Sequence, residues 1–405
     1  MRNILYCYGD FDFLSSPILI GTLHAEEKRG RTAYSFEYSE QYMDGRYGFS
    51  LSPDLPVSSE RQHMFGEQLS GMFADASPDR WGRALIRKKL RIQDPGIKFI
   101  PEILYLEEVS DETRMGALRF SETEGGPFIS VDGEAVPPIA DLRKLEAMSM
   151  DYERDNLEDA WIMNLARQGS SLGGARPKAT VRDTDGTLHI AKFPSVKDEY
   201  DVGAMECLVM KLADKVGLSV PSSYKARRFL GEGYHTFISS RFDRTSENRR
   251  IHTASAMTLS ERHDGEEEGI LDLVDVIYTY SADMIADLRE MYTRTLFSWK
   301  MNNRDNHLRN HSFVLEKDGW HLSPLYDVNI SPYGNDFALD LGEGMTEWSL
   351  EAILNLSDYF QIDRKEAERL SYEMDQVIRE SFFLEAGKLG ILPSVAETFF
   401  SYLNI

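Results

Sequence analysis

Cysteine is nearly absent from this sequence: only Cys7 and Cys207 occur among its 405 residues, each in an apolar segment. A framework of several disulfide bonds is therefore excluded. One disulfide is arithmetically possible, but we expect two buried free thiols in a reducing cytoplasm. Long apolar runs are lacking as well, since no stretch approaches the roughly 20 residues of a membrane span. The chain reaches Asp10 and Asp12 before any such run develops. We expect a cytoplasmic protein without a membrane partner.

Positive charge is also scarce, with 45 lysines and arginines, 67 aspartates and glutamates, and a formal net charge of −22. This balance argues against a protein that coats nucleic acid, so we expect contact with DNA only indirectly, through a basic partner. Two basic clusters remain, one in a predicted helix and one in a loop, which we interpret as solvated positive surface that balances acidic neighbours. Their members are Arg83, Arg87, Lys88, Lys89 and Arg91, and then Arg244, Arg249 and Arg250.

The length of the chain predicts two or three packed units. The best boundary lies in residues 123–138, where glycine and proline recur. Residues 1–135 predict a β-rich N-terminal subdomain with strands in NILYCY, SPILIGTLH, TAYSFEY, ILYLEEV and MGALRF. Within it, the chain from about Met64 to Arg91 is predicted to be helical, with a helix start at Ser77-Pro78.

The rest of the chain divides into a β-rich part, residues 136–243, and a mostly helical part, residues 244–405. The first part has predicted helices over 140–150 and 157–167, strands in ATVRD, TLHIAKF, YKARRF and YHTFISSRF, and a helix from about Val202 to Val216. This order is typical of a two-lobed kinase domain. We therefore predict an α+β fold.

The segment NNRDNHLRNHSFVLEKDGWHLSPLYDV is the most informative one. A predicted helix ends near Asn302-Asn303, and Asp305 and Asn310 then show the spacing Arg-Asp-x-x-x-x-Asn. Phosphoryl transfer needs a carboxylate at the attacking hydroxyl and a nearby amide oxygen on Mg²⁺. The spacing alone is common, and the alternative is a pair of residues that merely cap loops beside a hairpin.

A predicted hairpin connects Asn310 to Asp327. Its strands, HSFVL and WHLSPL, are joined through Asp318-Gly319, a dipeptide favoured in two-residue turns. With that dipeptide at the turn centre, Lys317 lies opposite Trp320, and counting outward places Asn310 opposite Asp327. We expect these two side chains to meet near the catalytic loop, where they suit a hard cation such as Mg²⁺.

Lys192 closes the predicted strand TLHIAKF and shares a face with Leu188 and Ile190. An ammonium group that begins at an apolar face needs an anionic partner, which ATP phosphates would supply. Glu206, at the edge of the buried stripe of the following helix, is the predicted protein partner, with Glu199 as a rival. The alternative is a lysine that reaches solvent at a strand end, together with a solvated glutamate at position 206.

The stretch GSSLGGARPK offers adjacent backbone N–H groups suited to cradling phosphate. It is not a Walker P-loop, because Ala-Arg replaces the required Lys-Ser/Thr. Its first five residues satisfy Gly-x-Ser-x-Gly, the nucleophile elbow of serine hydrolases, but that motif needs a preceding strand and a following helix. The predicted order here is the reverse, so a serine hydrolase is the minor alternative.

Together these segments resemble the HipA family, the kinase toxins of bacterial toxin–antitoxin pairs. The segments that carry the resemblance are DASPDRWGRALI, MGALRF, SSLGGARPKA, HIAKFPS, ISSRFDR, NRDNHLRNHSF and LSPLYDV. It implies a two-lobed α+β fold related to protein and lipid kinases, with a family-specific N-terminal subdomain. It also implies a serine/threonine protein kinase that uses ATP with Mg²⁺ or Mn²⁺.

By this resemblance Asp305 is the catalytic aspartate, Asn310 and Asp327 are the metal ligands, and Lys192 binds the ATP phosphates. Ser240 and Phe242 resemble the adenine-binding hinge. Ser171 matches a serine whose autophosphorylation switches such kinases off, and we expect Arg176 and Lys178 to pair with its phosphate. The other expected ATP contacts are Glu206, Ser170, Ser171, Leu172, Gly173, Gly174 and His307. The implied partners are a helix-turn-helix antitoxin and a protein substrate such as an aminoacyl-tRNA synthetase.

Two alternatives from other classes stay open. A metal-dependent hydrolase would use His307, His311 and His321 with Asp305 or Asp327, although the sequence has no His-Glu-x-x-His. A catalytically weak kinase-fold protein would act mainly as the co-repressor of a DNA-binding antitoxin. ATP-dependent labelling of protein separates the kinase from both.

Overall fold

A computed structural model describes residues 4–28, 30–45, 48–129, 136–169, 174, 176–229, 233–263, 265–342 and 344–405. The chain splits into two compact units. The first comprises Met1–Lys197, Phe229–Gly231 and Ile238–Ala254, and the second comprises Asp198–Arg228, Glu232–Phe237 and Ser255–Ile405. The three-part division drawn from the sequence stays a prediction.

The described chain contains strands and α-helices in the following order. The strands are β1 Ile4–Gly9, β2 Ile18–Lys28, β3 Arg31–Tyr38, β4 Gln62–His63, β5 Leu118–Ser121, β6 Lys178–Arg182, β7 Leu188–Lys192, β8 Tyr224–Arg227, β9 Thr236–Ser240, β10 His252–Ser255, β11 Ser312–Glu316 and β12 Gly319–Leu322. The helices are α1 Glu40–Met43, α2 Gly71–Asp75, α3 Arg80–Gln93, α4 Glu102–Glu107, α5 Leu142–Glu153, α6 Asp159–Gly169, α7 Val202–Lys215, α8 Ala256–Leu259, α9 Ile270–Tyr280, α10 Met284–Lys300, α11 Leu350–Asn355, α12 Arg364–Lys388 and α13 Pro393–Phe400.

Five strands of the first unit form an antiparallel sheet in the order β4-β3-β2-β1-β5. Cys7 of β1 and Phe36 of β3 are fully buried in its core. Gly21 is required where β2 passes β3, because a Cβ atom there would lie 2.2 Å from the carbonyl oxygen of Glu37. The strands predicted in NILYCY, SPILIGTLH, TAYSFEY and MGALRF are confirmed.

The segment ILYLEEV is helical, so the strand predicted there is wrong. Helix α4 begins after Pro101, and Glu102 in its first turn complements the positive end of the helix dipole. Ile103 and Leu106 lie three residues apart and are both buried, as one face of a helix requires. The expected partner strand, β5, pairs with β1 instead.

Helices α3, α5 and α6 also belong to the first unit. Trp81 and Leu85 of α3 pack with Met148 of α5 and Leu165 of α6 in one buried cluster. Helices α5 and α6 confirm those predicted over 140–150 and 157–167. Helix α3 begins slightly later than predicted, because the side chain of Asp79, not Ser77, accepts the capping hydrogen bond.

Strands β6 and β7 form a hairpin whose register pairs Lys178 with Lys192 and Arg182 with Leu188. The sheet order is β6-β7-β9-β8, and the division between the two units falls within β9. The buried cluster on this hairpin contains Leu142, Leu145, Ala179, Val181, Ala191, Phe193 and Ile238. The four strands predicted here are confirmed.

The second unit is mostly helical, as predicted. Helix α7 confirms the helix expected from Val202 to Val216. Helix α10 buries Met291, Tyr292 and Leu296 completely and leads into the loop that contains Asp305 and Asn310. Strand β10, which extends the β11/β12 hairpin in the order β10-β11-β12, was not predicted, and the division between the units falls inside it.

The expectation about the two cysteines is confirmed. Cys7 and Cys207 are both free and buried, as predicted. Burial raises the pKa of the Cys207 thiol to about 11, so this thiol is protonated at neutral pH. Among the described residues, no helix combines the length and the apolar character needed to cross a bilayer.

Candidate functional site

The loop after α10 carries Asp305 and Asn310. The helix ends at Lys300, and Asn302 then adopts a left-handed backbone conformation with a φ of 52° that turns the chain. The loop is fixed to a later segment of the same unit: Asn302 Nδ2 donates to the carbonyl oxygen of Ser331 at 2.7 Å, and the Ser331 N–H donates to the Asn302 carbonyl oxygen at 3.0 Å. The loop is therefore held at its start by two hydrogen bonds.

Asp305 and Asn310 are brought together within this loop. The amide nitrogen of Asn310 donates to the backbone carbonyl oxygen of Asp305 at 2.8 Å, which leaves Oδ1 of Asn310 as the side-chain oxygen that suits a cation. Asn310 is buried, whereas the Asp305 side chain is exposed. The arrangement leaves a carboxylate accessible to an incoming hydroxyl. The roles assigned to the two residues stay predictions.

The register of the β11/β12 hairpin differs from the prediction. Glu316 lies opposite Gly319, so the turn residues are Lys317 and Asp318 rather than Asp318-Gly319. Gly319 is the first residue of β12, where its φ is 141° and a Cβ atom would lie 3.0 Å from the Cβ atom of Ala282. The pairing predicted between Asn310 and Asp327 is therefore wrong, because the ladder is offset by two residues.

Asp327 follows the hairpin and has a φ of 55°, in the left-handed region that few non-glycine residues adopt. Such strain concentrates at functional sites, although aspartate tolerates this conformation better than most residues do. Two residues later, the N–H of Asn329 donates to Oδ1 of Asn303 at 3.4 Å. The segment that contains Asp327 is thereby linked to the loop that contains Asp305.

Buried polar atoms without a hydrogen-bond partner concentrate around this loop. Of the sixteen such atoms in the described chain, seven lie in this loop, in the adjoining His311 or in Asn329: Asn302 Oδ1, Asn303 Nδ2, Arg304 Nε and Nη1, His307 Nδ1, His311 Nδ1 and Asn329 Oδ1. An unsatisfied buried polar group is costly, so such a concentration marks the place where a polar ligand would complete the hydrogen bonding. The donors and acceptors present fit a phosphate-bearing ligand with a metal ion.

The histidines do not form the metal centre of a hydrolase. Burial lowers the pKa of His311 to about 3, and its Nε2–H donates to Oδ1 of Asn306 at 2.8 Å. His321 instead lies at the hairpin tip, where it contacts Asp318 at 3.0 Å. Among the described residues, the one cluster with metal-ligand spacing is this exposed tip, Glu316, Asp318 and His321, and it includes neither His307 nor His311.

Lys192 and Glu206 belong to different units. Lys192 is the last residue of β7 and is half-buried, on the strand face that carries Leu188. Glu206 lies in α7 and is 2% exposed, so the alternative of a solvated glutamate is wrong. The pairing of Lys192 with Glu206 stays a prediction.

Half of the glycine-rich stretch lies outside the described residues, namely Ser170, Ser171, Leu172, Gly173 and Ala175. Gly174 is described, with a φ of 98° that a glycine readily adopts. Helix α6 precedes the stretch and β6 follows it, the reverse of the order that a nucleophile elbow requires. Lys178 is 2% exposed and paired with Asp79, so the expectation that it binds a phosphate on the outside of the loop is wrong.

Ser240 and Phe242 flank Arg241, which belongs to a buried ionic cluster in the first unit. Ser240 is buried, and Phe242 is half-buried. The Arg241 guanidinium donates to the Asp243 carboxylate at 2.6 and 2.8 Å and to the carbonyl oxygens of Thr113 and Arg114 at 2.7 and 3.0 Å. The proposed hinge is therefore anchored to the N-terminal part of the chain.

Both basic clusters pair with acidic neighbours, as predicted, but the loop cluster is less solvated than we expected. Arg244 pairs with the buried Asp243, and Arg250 is buried beside Asp111, so neither forms solvated surface. In α3, Arg83, Lys88 and Lys89 pair with Glu102, Asp155 and Glu108 respectively. The sequence analysis missed the buried cluster, although opposite charges around Phe242 in ISSRFDR were its visible signal.

Comparisons with known proteins agree with this arrangement. The model of the HipA-like C-terminal domain matches residues 170–382, more than half of the chain, and that of the HipA N-terminal domain matches residues 14–121. A relative from Haemophilus influenzae, named "Putative kinase", is 28% identical over 193 residues, which span 42% of this chain and 56% of that protein. "Putative kinase Y4mE" from Sinorhizobium fredii is 24% identical over 373 residues, 82% of this chain and 80% of the relative.

A solved structure has the same fold. It is described as the Shewanella oneidensis MR-1 toxin–antitoxin system HipA, HipB and operator DNA complex, and it matches with a TM-score of 0.70 at 17% identity. The match covers 98% of this chain and 96% of the solved chain. The predicted fold class, a two-lobed α+β fold of the HipA type, is confirmed. The chain belongs to the HipA family.

Proposed function

We propose that this protein is an ATP- and Mg²⁺-dependent serine/threonine protein kinase and the toxin component of a bacterial toxin–antitoxin pair. The observation that carries the proposal is the loop after α10. There the Asn310 amide donates to the Asp305 carbonyl oxygen at 2.8 Å, which brings Asn310 and the exposed Asp305 carboxylate together in one loop. A carboxylate for the hydroxyl and an amide oxygen for the metal are what phosphoryl transfer requires.

In this proposal each side chain has a separate task. The Asp305 carboxylate orients the attacking hydroxyl and accepts its proton. Asn310 and Asp327 would hold Mg²⁺, which when bound neutralises charge on the ATP phosphates. In the first unit, Lys192 is the proposed phosphate-binding lysine, and Ser240 and Phe242 are the proposed adenine contacts. Glu206, His307 and the glycine-rich residues complete the proposed ATP-binding set.

The proposed partner is a helix-turn-helix antitoxin. Two observations support it: the Shewanella oneidensis HipA of the same fold was solved with HipB and operator DNA, and this chain carries a net charge of −22. So acidic a chain is repelled by DNA phosphates, and a basic partner would make the DNA contact. A protein substrate such as an aminoacyl-tRNA synthetase, and inactivation by phosphorylation of Ser171, are parts of the proposal that come from the family resemblance.

The test is phosphate transfer from labelled ATP to protein. Purified wild-type protein, alone and with a bacterial lysate as substrate source, is expected to label protein only when Mg²⁺ or Mn²⁺ is present. Asp305→Asn provides the inactive control. If wild-type protein labels no protein in the presence of ATP, the kinase proposal is refuted, and the co-repressor alternative is favoured instead. A gene for a small helix-turn-helix protein beside this one would support the toxin assignment.

A further inference from the structure

The backbone pairing of the hairpin stops before it reaches the two proposed metal ligands. The last hydrogen bond of the ladder joins the Ser323 N–H to the carbonyl oxygen of Ser312 at 2.9 Å. Two residues later, the N–H of Leu325 donates to the carbonyl oxygen of Ser219 at 2.8 Å, away from β11. The chain that leads to Asp327 has therefore left its partner strand.

The side chain of Tyr326 reaches back across this separation. Its hydroxyl lies 2.7 Å from the carbonyl oxygen of Arg309 and 2.6 Å from Oγ of Ser312. A carbonyl oxygen only accepts, so the single phenolic proton of Tyr326 goes to Arg309. The Ser312 hydroxyl must then donate to the oxygen of Tyr326. The result is a directed chain of two hydrogen bonds from Ser312 through Tyr326 to Arg309.

These hydrogen bonds connect the immediate neighbours of the two proposed ligands, because Arg309 precedes Asn310 and Tyr326 precedes Asp327. The side chain of Asn310 is already oriented by its bond to Asp305, and Asp327 has a left-handed backbone. A further contact is needed to fix the distance between the segment that contains Asn310 and the segment that contains Asp327. A hydrogen-bonded phenol with two rotatable torsions is a short and stiff connection for this purpose.

We propose that Tyr326 is a positioning residue that fixes the separation of the Asn310 and Asp327 side chains and thereby the affinity for the metal ion. This inference rests on the proposed function of the two ligands and adds a residue that does not touch the metal. Mg²⁺ demands near-ideal octahedral geometry, so its binding is sensitive to small changes in ligand separation. The hydroxyl of Tyr326 makes both hydrogen bonds, so removal of the hydroxyl alone is expected to lower the affinity for the metal ion, even when the ring is kept.

The experiment is a Mg²⁺ titration of nucleotide binding to the full chain, with a fluorescent ATP analogue at fixed concentration. Tyr326→Phe removes the hydroxyl and keeps the ring. We expect the Mg²⁺ concentration at half-maximal binding to rise by about ten-fold, because two hydrogen bonds are lost. At saturating Mg²⁺ the variant is expected to bind as much nucleotide as wild type. Ser312→Ala, which removes one of the two bonds, is expected to give a smaller shift.

Tyr292→Phe is the matched control, since Tyr292 also donates to a backbone carbonyl oxygen, that of Ile353 at 3.4 Å, within the helical part of the second unit. Its midpoint is expected to equal that of wild type. An unchanged midpoint in Tyr326→Phe, or loss of nucleotide binding at every Mg²⁺ concentration, would overturn the positioning role. Failure of wild-type protein to bind nucleotide at any Mg²⁺ concentration would instead refute the proposed function, and the inference with it.

Discussion

The ammonium group of Lys178 lies 3.2 Å from Oδ2 of Asp79, and the two side chains are 2% and 7% exposed. The other oxygen of Asp79 accepts from the N–H of Gly82 at 2.6 Å and caps α3. In the same turn, the N–H of Trp81 donates to the carbonyl oxygen of Gly174 at 3.3 Å. The segment DASPDRWGR therefore contacts the C-terminal half of the glycine-rich stretch, and these contacts give DASPDRWGR a structural role.

We predict that Asp79→Asn destabilises the protein although it keeps the helix cap. Asparagine caps helices as well as aspartate does, but it removes the carboxylate charge that pairs with the buried Lys178 ammonium. The expected loss in the free energy of unfolding is about 3–5 kcal/mol. The measurement is urea unfolding of Asp79→Asn, of Lys178→Met and of the double variant, which together form a double-mutant cycle.

The double variant is expected to cost less than the sum of the single variants, because it removes both charges of the buried ion pair together. The control cycle uses Arg369 and Glu373 of α12, an ion pair whose side chains are 56% and 53% exposed. Its expected coupling free energy is about 0–1 kcal/mol. Additive effects at Asp79 and Lys178 would contradict the structural role of this pair.

The sequence was informative wherever local patterns decide structure. The α10 helix, the loop of Asp305 and the strands around Lys192 were predicted because periodicity and spacing act over a few residues. The strand predicted in ILYLEEV was wrong for a local reason. A short apolar run fits a strand or a helix equally well, and the residues that flank it determine which of the two forms. The hairpin register failed because the turn uses Lys317 and Asp318, which moves the ladder by two residues.

Long-range pairing was beyond the sequence. Arg241 donates to the carbonyl oxygen of Thr113, which lies 128 residues away in the sequence. Lys178 donates to Asp79, which lies 99 residues away. No local pattern specifies such partners, so charged residues that the fold buries were read as surface. The same limit applies to Tyr326, whose hydroxyl is used only once the hairpin has formed. Tertiary packing, rather than local propensity, determines the partners of Arg241, Lys178 and Tyr326.

We predict that Asp243→Asn lowers the free energy of unfolding by about 3–5 kcal/mol at neutral pH. Asp243 is fully buried, and its Oδ2 accepts hydrogen bonds from Arg241 and Arg244, each at 2.6 Å. Its loss leaves two buried guanidinium groups without their carboxylate. The matched control is Asp318→Asn at the exposed hairpin tip, where no measurable change is expected.

The contribution of Asp243 also depends on pH. Although burial opposes ionisation, Arg241 and Arg244 together with the N–H of Gly116 hold the pKa of this carboxyl well below its usual range. A depressed folded-state pKa gives stability that is complete above the unfolded-state value, about 3.9, and is lost as the pH falls below it. The difference between wild type and Asp243→Asn should therefore shrink below about pH 4. A constant difference from pH 7 to pH 3 would argue against the ion pairing.

We predict that Ser171 is phosphorylated when wild-type protein is incubated with ATP and Mg²⁺, and that nucleotide affinity then falls. A phosphate adds roughly −1.5 to −2 charge to a stretch expected to bind ATP phosphates. Mass spectrometry with a parallel binding assay measures both effects. Ser170→Ala is the matched control and should still be modified at Ser171. If Ser171 stays unmodified in fully active enzyme, the proposed inactivation by phosphorylation is wrong.

We predict that Asp327→Asn loses most Mg²⁺-dependent nucleotide binding. Asparagine tolerates the left-handed backbone at this position, where φ is 55°, so the variant removes the charge without added strain. Calorimetry with ADP and Mg²⁺ measures the loss. Asp318→Asn, a charge removal elsewhere on the hairpin, should bind as wild type does. Normal nucleotide binding by a folded Asp327→Asn protein would remove Asp327 from the metal site.

We predict that Asp305→Asn keeps nucleotide binding and loses phosphate transfer. The contact of Asp305 with Asn310 is made by its backbone carbonyl oxygen, so the substitution leaves that bond and the metal-ligand loop in place. The exposed side chain contributes little to folding, which separates its chemical role from a structural one. Removal of the proposed general base is expected to slow transfer by about 10²–10⁴-fold, measured in single-turnover assays with calorimetry of ADP binding alongside. If the variant kept more than a few per cent of the wild-type rate, another residue would have to accept the hydroxyl proton.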